Sequence, residues 1–459
     1  MKTILTLFLV MISAITHAQV SSDARNVAMG RTSVANSYGI CALDNNPANI
    51  GINGQFDKSQ LHFSLFSSFG YVINSGFISY EFYNNYFTGD GNGNKKILTH
   101  SEKVDIFNSS KDTKNFGSVS NNIVSLVYKT PEDGTFGLSI SDEMYGRSYI
   151  PVDFAEFALF GNEINRSYDF SEFNLSFSKI RQITLSYSNQ ISGISEGLTF
   201  GVSVKPTLGY QYFETYGNNI TIFTNDSNEV SGSGIATFRT AGLDYGFEPV
   251  SGFSNIAGFG IGFDLGLNLK LNDRINAGFS ITDIGWVRWN KNTMQSRYDA
   301  NIELTDLSDD NQLDSLLDLI KEKEKPVNSF TSILPTNFRI GLMYRFIEPH
   351  NTLDKGVVNY DRGYISLEYL QGFSDKYAGS SLDPRVSIGA EWIPDRMFSI
   401  RSGIIAGGED KFALSFGAGG NFGPVSVNIG THNIIDVFDI KSSSRNSLMI
   451  TVIVGLLEP

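Results

Sequence analysis

The stretch GFGIGFDLGLNLKL, residues 258–271, alternates without a break between two kinds of side chain. Every second residue from Phe259 to Leu271 is apolar, and the residues between them are Gly, Asp, Asn or Lys. Because successive side chains of a β-strand point to opposite faces, this period of two predicts a strand with one apolar face and one small or polar face. Such a strand fits a half-buried soluble sheet, or a membrane barrel whose apolar face meets lipid and whose polar face lines the lumen.

The same alternation recurs along nearly the whole chain. Phe338, Ile340 and Leu342, for example, alternate with polar or small residues in the same way. On this pattern we predict fourteen strands, near residues 59–83, 121–130, 135–147, 171–188, 197–216, 256–271, 274–291, 332–347, 361–374, 383–394, 397–407, 410–421, 424–435 and 445–457.

The lengths of the connections support a membrane barrel. Outer-membrane barrels have an even number of strands, short periplasmic turns and longer external loops. The connections after even-numbered strands are mostly short, as at 130–134, 272–273, 394–396 and 422–423. Those after odd-numbered strands include the longest, near 84–120, 148–170, 217–255 and 292–331. We therefore predict an all-β fold: a membrane-spanning, antiparallel, up-and-down β-barrel of 14 strands.

One part of the strand assignment has an alternative. Residues 59–83 could form a hairpin that turns near Gly70, which would give fifteen strands and break the alternation of short and long connections. We interpret them as one long, bulged strand.

The N-terminus predicts export. A charged start at Lys2, an apolar run from Ile4 to Ile15 and the small residue Ala18 are typical of a secretory signal peptide, with cleavage after Ala18. The apolar run is too short for the roughly 20 residues of a spanning helix, and no longer one follows. Together with the barrel pattern, this predicts the outer membrane of a Gram-negative bacterium, with outer-membrane lipid around the protein.

Composition limits the other classes of function and the domain organisation. A net charge of −13 argues against a nucleic-acid partner, which would require a basic face. No Pro- or Ser-rich linker divides the chain after its N-terminal part. We predict a signal peptide at 1–18, an N-terminal hatch or plug segment at 19–57 and a single barrel domain at 58–459.

The polar face of the predicted strands carries charged residues, which could not face hydrocarbon without a cost of roughly 2–4 kcal/mol near the bilayer midplane. They are predicted to face the lumen and comprise Lys205, Asp264, Lys270, Arg339, Arg345, Glu368, Arg385, Glu391 and Arg401. Two interpretations remain open: a network of ion pairs that packs the lumen, or the lining of a solute pathway.

The N-terminal segment carries a motif shared with a known family. It contains Met29-Gly30, then Ser33-Val34-Ala35, and further on Asn46-Pro47-Ala48. These elements resemble the opening of FadL-type outer-membrane transporters and of PorV-type barrels of the type IX secretion system. The chain is also similar to a group of uncharacterised Gram-negative outer-membrane barrel proteins that share a domain of unknown function.

The resemblance implies that this segment folds inside a fourteen-stranded barrel as a hatch, with Met29, Gly30, Asn46, Pro47 and Ala48 as its motif. The residues agree with such a segment, because Asn46-Pro47 favours a turn and a loop-rich chain needs polar walls to satisfy its backbone. The alternative is a disordered periplasmic tail.

The predicted fourth external loop contains a short helical pattern. Leu313, Leu316, Leu317 and Ile320 have the spacing i, i+3, i+4, i+7 of an amphipathic helix, and Pro326 follows them. This external-loop apolar stripe either packs on other loops or contacts an apolar ligand or a partner protein.

No catalytic or cofactor signal accompanies the barrel pattern. The histidines after the signal peptide are scattered, no His-Glu-x-x-His pair is present, and the single Cys, Cys41, cannot form an internal disulfide or a thiolate metal site. We predict no enzyme activity and no cofactor. Two functions remain: passive uptake of a hydrophobic small molecule, as in FadL-type barrels, or interaction with secretion-system or surface proteins, as in PorV-type barrels. A purely structural, closed barrel is the third possibility.

Overall fold

The computed structural model describes residues 23–52, 54, 59–87, 97–111, 113–191, 197–227, 229–243, 253–299, 302–304, 324–352, 356–374, 380–439 and 441–456. Fourteen long strands within these ranges form one antiparallel barrel. In chain order they are β1 Leu61–Asn74, β2 Thr113–Lys129, β3 Thr135–Ile150, β4 Asn174–Gln190, β5 Leu198–Thr215, β6 Gly258–Lys270, β7 Ile275–Trp289, β8 Asn337–Thr352, β9 Gly356–Gly372, β10 Arg385–Trp392, β11 Phe398–Gly407, β12 Phe412–Phe422, β13 Val425–Thr431 and β14 Arg445–Leu456.

Each strand pairs with its neighbour in sequence, and β1 pairs with β14 to close the barrel. The predicted fold class, a 14-strand antiparallel up-and-down barrel, is confirmed. The prediction of a single bulged first strand is also correct: β1 carries an irregularity between Leu65 and Ser68 and does not turn near Gly70. The strand is shorter than predicted, because residues 80–87 form a helix instead.

The two faces of the strands differ sharply in exposure. On β6, the apolar side chains of Phe263 and Leu265 are 39% and 48% exposed, whereas Asp264 between them is fully buried. Lys205 on the adjacent β5 is 1% exposed. A soluble domain buries its apolar face and solvates its charges, so this barrel has the inverted arrangement.

The connections gather at two ends of the barrel. Tight turns such as 271–274 and 423–424 lie at one end, here called the short-turn end, and the longer connections lie at the opposite, long-loop end. The long-loop end carries helices α2 Tyr80–Phe87, α3 His100–Ser110, α4 Val152–Phe160 and α5 Ile434–Phe438. No helix in the described ranges has the length and apolar character needed to cross a membrane.

Short strands build on the long-loop end. Four form a separate sheet: Ser167–Asp169, Thr221–Thr224, Val230–Ser233 and Ile302–Leu304. Four others extend the barrel sheet: Ile235–Ala241, Met294–Asp299, Glu324–Pro326 and Phe330–Ile333. The strand Phe330–Ile333 comes just before β8 in the chain and is separated from it by residues 334–336. Both strands pair with β7.

Residues 23–52 of the N-terminal segment contain a short helix, α1, at Ala24–Ala28 and 3₁₀ turns at Gly39–Ala42 and Pro47–Asn49. Nearly all of its residues are buried. Its hydrogen bonds end on inward-facing groups of strands from all around the barrel, including Ser188 of β4, Ser280 of β7, Ser415 of β12 and Thr451 of β14.

Candidate functional site: the lumen and the N-terminal segment

The helix that opens the N-terminal segment, α1, is capped by the side chain just before it and tied to the last barrel strand. The Asp23 carboxylate accepts hydrogen bonds from the backbone N–H groups of Arg25 and Asn26, which are otherwise unsatisfied at a helix start. The Ala24 N–H donates to Thr451 Oγ1 at 2.8 Å. Val27 packs with Met449 of the same strand. The short helix is therefore held by both polar and apolar contacts.

A buried arginine–glutamate–arginine group joins this helix to β10 and β11. Arg25 Nη2 lies 2.6 Å from Glu391 Oε2, and Arg401 Nε lies 2.7 Å from Glu391 Oε1. All three side chains are less than 5% exposed. Arg25 also donates to the carbonyl of Asn36, and Arg401 donates to Asn428 and Ser399, so each guanidinium nitrogen has a partner.

Removing one member of a buried ion pair leaves an uncompensated charge and typically costs about 3–5 kcal/mol. The contact of Arg25 with Glu391 is therefore the strongest polar attachment between the N-terminal segment and the barrel.

The Met29-Gly30 part of the motif turns against two glycines of the barrel wall. Gly30 has a φ of +69°, and its N–H donates to Ser415 Oγ. A Cβ atom added at Gly403 would lie less than 3.0 Å from Gly30 N, and one at Gly389 would lie equally close to Met29 O. The close approach of the two backbones requires glycine at both wall positions.

The Asn46-Pro47-Ala48 part of the motif forms a capped 3₁₀ turn on the other side of the barrel. The Asn46 side chain accepts from Ala48 N–H and donates to the carbonyls of Val34 and Leu267. A Cβ atom at Gly201 or Gly266 would clash with this turn. Pro at the first position of the turn removes an N–H that would have no partner there.

The middle of the N-terminal segment is attached to β9. Glu368 Oε2 accepts hydrogen bonds from the backbone N–H groups of Ser33 and Val34, at 2.6 and 2.8 Å. These charge-assisted bonds are stronger than those between neutral groups. Together with the two motif turns, they attach the segment at both ends and in the middle.

A second buried charge group lies in the wall between β5, β6 and β7. Lys205 Nζ is 2.9 Å from Asp264 Oδ2 and 2.9 Å from Asp283 Oδ1. The Asp283 N–H donates to Asp264 Oδ1, and Asp283 has a φ of +60°, which places it at an irregularity in the pairing of β6 with β7. This arrangement packs the wall, since one ammonium group bridges two carboxylates.

We expect Lys205→Met to lower the free energy of unfolding by about 3–5 kcal/mol, because it leaves two carboxylates in the wall without their shared cation. The measurement is urea unfolding of the purified barrel, followed by the gel mobility of folded and unfolded forms. Lys270→Met serves as the control: Lys270 is half exposed and pairs with the exposed Asp273 in its own turn, so no change is expected. Equal unfolding midpoints for the two variants would contradict this assignment.

The charged residues that were predicted to face the lumen lie in different parts of the barrel. Lys205, Asp264, Arg339, Glu368, Arg385, Glu391 and Arg401 are buried and inward-facing. Arg345 is partly exposed and pairs with Asp361 at 2.7 Å. Lys270 lies at the short-turn end, apart from the buried groups. The apolar stripe Leu313, Leu316, Leu317 and Ile320 lies outside the described residues.

A third charge group lies at the long-loop end. Arg31 Nη1 is 3.4 Å from Asp410 Oδ2, and His432 Nε2 is 2.7 Å from Asp410 Oδ1. Burial by itself raises the pKa of Asp410, but the imidazole of His432 and the guanidinium of Arg31 lower it by more, so the pKa lies well below its usual range.

An apolar cluster interrupts the polar lumen toward the same end. Its buried members are Ile180, Tyr212, Ala241, Ala257, Val287, Trp289 and Leu334, with Tyr145 and Phe330 packed against them. Trp289 is fully buried, its ring centroid lies 5.1 Å from that of Tyr212, and its Nε1 donates to Ser332. A small cavity of about 20 Å³ borders this cluster at Tyr145, Ser176 and Leu334.

A larger cavity of about 530 Å³ lies toward the short-turn end, below the N-terminal segment. Arg25, Tyr38, Cys41 and Glu391 line its inner part, and residues of the short turns, such as Arg396, line its mouth. The space on this side of the segment is therefore large and lined by both polar and apolar side chains, whereas the space beside the apolar cluster is small and mostly apolar.

Sequence reasoning missed the wall glycines and the partners of the charges. Gly201, Gly266, Gly389 and Gly403 are visible only as small residues on the polar face of each strand. The occurrence of these glycines inside predicted strands could have identified them, because glycine is unfavourable inside a strand unless another backbone approaches. Among the described residues, no group of three or more His, Cys, Asp or Glu side chains could hold a metal ion.

Comparison with known proteins gives a family of unknown function. The profile of that family, DUF5723, matches residues 54–431. No curated protein matches the chain.

Several solved structures are similar over nearly their full length at low sequence identity. The toluene transporter TodX of Pseudomonas putida is 14% identical, with 94% of this chain and 98% of that chain covered and a TM-score of 0.46. A FadL homologue of Pseudomonas aeruginosa is 12% identical, with 96% and 99% covered and a TM-score of 0.47. The CymD monoaromatic hydrocarbon channel gives the same identity, coverage and TM-score.

Proposed function

The chain belongs to the DUF5723 family of unknown function, and we propose that it is an outer-membrane barrel that admits small apolar molecules when its N-terminal segment moves. The outward apolar face of the strands supports a position in a lipid bilayer, because exposing these side chains to water would be unfavourable. The signal-peptide pattern at residues 1–18 supports export to the outer membrane.

The observation that carries this proposal is the aromatic cluster around Trp289 inside a lumen that is otherwise polar. Sites for small apolar ligands are typically lined by aromatic and aliphatic side chains with a few polar groups. The cluster provides Trp289, Tyr212 and Phe330, with the hydroxyl of Ser332 at its edge. The adjoining cavity holds no more than a water molecule, so entry of a ligand requires the surrounding side chains to shift.

We expect Trp289→Ala to weaken the binding of a small aromatic hydrocarbon such as toluene by about tenfold, because it removes the largest apolar surface of the cluster. Binding and uptake would be measured with radiolabelled toluene, on purified protein and on cells that express the barrel. Trp286→Ala is the matched control: it lies on the same strand but is 50% exposed on the outward face. If the two variants bind toluene equally, or if the wild-type protein binds none, the uptake proposal should be abandoned.

In this proposal the N-terminal segment is the hatch. Many of its attachments to the wall are hydrogen bonds and ion pairs, which can be exchanged for contacts with water as it moves toward the larger cavity. In this proposal a ligand passes from the apolar cluster to that cavity once the segment is displaced.

A disulfide between the segment and β14 tests this movement. Ala24 and Thr451 are in direct contact, so the variant Ala24→Cys/Thr451→Cys, with Cys41→Ser to remove the native thiol, should cross-link them. We expect the oxidised form to lose toluene uptake and the reduced form to regain it. Unchanged uptake after complete oxidation would refute the hatch role while leaving ligand binding at Trp289 separately testable.

A second candidate, interaction with a secretion-system or surface protein, is favoured by one feature of the long-loop end. Helix α5 presents Ile435, Val437 and Phe438 at 52%, 44% and 84% exposure. Exposed apolar groups of this kind mark contact surfaces. Cross-linking from this helix in intact cells would support a partner role if a protein is captured from wild type but not from Phe438→Ser.

A further inference from the structure

Two groups of buried arginines in this lumen differ in how completely they are paired. In the Arg25–Glu391–Arg401 group, the ion pairs are 2.6 and 2.7 Å long and every guanidinium nitrogen donates a hydrogen bond. In the group formed by Arg31, Arg339 and Arg385, the ion-pair distances are 3.4 to 3.9 Å. The second group is therefore loosely held, although its side chains are equally buried.

Several donors of the second group have no partner among the residues that the structure describes. Arg31 is 6% exposed, yet its Nε and Nη2 atoms make no hydrogen bond to any described residue. The same holds for Nε of Arg385, which is also 6% exposed, and for Nδ1 of His432. A buried guanidinium donor without an acceptor costs more than about 1 kcal/mol. An acceptor group from another molecule would satisfy these donors.

The charge balance of the group points to the same conclusion. Within the described part of the chain, the three guanidinium groups of Arg31, Arg339 and Arg385 face only two carboxylates in their ion pairs, from Glu368 and Asp410. One oxygen of Glu368 is already occupied by the backbone N–H groups of Ser33 and Val34. The group therefore retains a surplus of positive charge whether or not His432 is protonated, in a chain whose net charge is −13.

The positions of these residues are fixed by the wall and by the N-terminal segment together. Arg385 is the first residue of β10, and its Nη2 atom is 3.5 Å from the Arg31 carbonyl. Asp410 and His432 lie in the connections that follow β11 and β13, at the long-loop end. A ligand would therefore meet the group from the side of the long loops.

We propose that Arg31 and Arg385, with His432 beside them, bind one oxyanion, a phosphate or carboxylate group. Planar guanidinium groups with free N–H donors match the oxygens of both, and a buried setting strengthens each charge-assisted hydrogen bond. The anion supplies the missing negative charge and the missing acceptors in one step. This inference does not depend on the passage of an apolar molecule through the barrel.

The test is thermal unfolding of the purified barrel in a zwitterionic detergent at constant ionic strength, with inorganic phosphate, acetate or short-chain phosphatidic acid as the added anion. We expect one of these to raise the Tm saturably by several degrees. A rise with inorganic phosphate or acetate identifies a free anion, and a rise with phosphatidic acid alone identifies a lipid headgroup. A Tm that none of the three changes saturably would overturn the proposal.

Variants then assign the effect to the site. Arg385→Gln should weaken binding of the effective anion at least tenfold, whereas Arg345→Gln, which alters a pair at the opposite end, should leave it unchanged. Equal weakening in both variants, or in neither, would contradict the assignment. If Arg385→Gln does not fold, wild-type crystals soaked in selenate decide: an anomalous peak between Arg31 and Arg385 supports the site, and its absence at saturation refutes it.

Discussion

Replacement of Glu391 by glutamine is expected to loosen the N-terminal segment and to raise the labelling rate of Cys41 by at least about 10²-fold. The neutral amide would leave the buried guanidinium groups of Arg25 and Arg401 facing each other without their shared carboxylate, a loss of about 3–5 kcal/mol. The segment loses its strongest polar attachment, and each change of about 1.4 kcal/mol corresponds to a tenfold change in the open population. Cys41, the only thiol of the chain, is 5% exposed and reports this opening.

The measurement is the rate of modification by a bulky maleimide under native conditions. Glu348→Gln is the matched control, because Glu348 forms an exposed pair with Arg362 on the same barrel and such surface pairs contribute little. We expect its Cys41 to react at the wild-type rate. Slow labelling of Glu391→Gln would mean that the ion pair does not hold the segment.

Gly403→Val is expected to displace the Met29-Gly30 turn from the barrel wall while leaving the barrel itself folded. A Cβ atom at this position would lie less than 3.0 Å from two backbone atoms of Gly30 and from the carbonyl carbon of Met29, and backbone atoms cannot rotate away as a flexible side chain can. Valine itself is favourable in a strand. We therefore expect the substitution to displace the N-terminal segment and to leave the strand intact.

Limited trypsin digestion would detect the displacement, since Arg31 is buried in the native protein. We expect cleavage after Arg31 to become at least a hundredfold faster in Gly403→Val. Ser402→Val introduces the same side chain one residue earlier, on the exposed outward face of β11, and should digest as wild type does. Resistance of Gly403→Val to trypsin would show that β11 shifts to accommodate the valine. The close contact of Gly403 with Gly30 would then not be needed to hold the segment.

The two substitutions act on two neighbouring contacts of the same part of the segment, Glu391→Gln through charge at Arg25 and Gly403→Val through shape at Gly30. Residues that act as one unit do not contribute additively. Once either change has released this part of the segment, the other has little left to disrupt. The double variant should therefore open little more than the more affected single variant.

Much of the architecture was predictable from local pattern. The alternation identified β6 to within two residues at each end and gave the correct number of strands, which the lengths of the connections supported. The Asn46-Pro47 pair predicted a turn, and a turn is present there. These features depend on the period of a strand and on the restricted backbone of the residue before proline, both of which are local properties.

The pairing of the charges was not predictable in this way. Glu391 and Arg401 are partners across adjacent strands, but their third partner, Arg25, lies more than 350 residues away in the chain. Arg339, Glu368 and Arg385 looked equivalent to them in sequence, yet they form the loosely paired group. Lys270 shares the inward side of its strand with Asp264, but it lies at the barrel rim, where water reaches it.

For the stretch at 258–271, alternation alone settled that it forms a strand and which of its faces is apolar, because side-chain direction along a strand depends only on neighbouring residues. Closure of the barrel was needed to turn the polar face of all fourteen strands toward one enclosed space. Only there do Gly266 and Asp264 acquire their roles, one beneath the Asn46 turn and the other beside Lys205. Those contacts join residues that are far apart in the chain, and their geometry exists only once the strands have closed around the N-terminal segment.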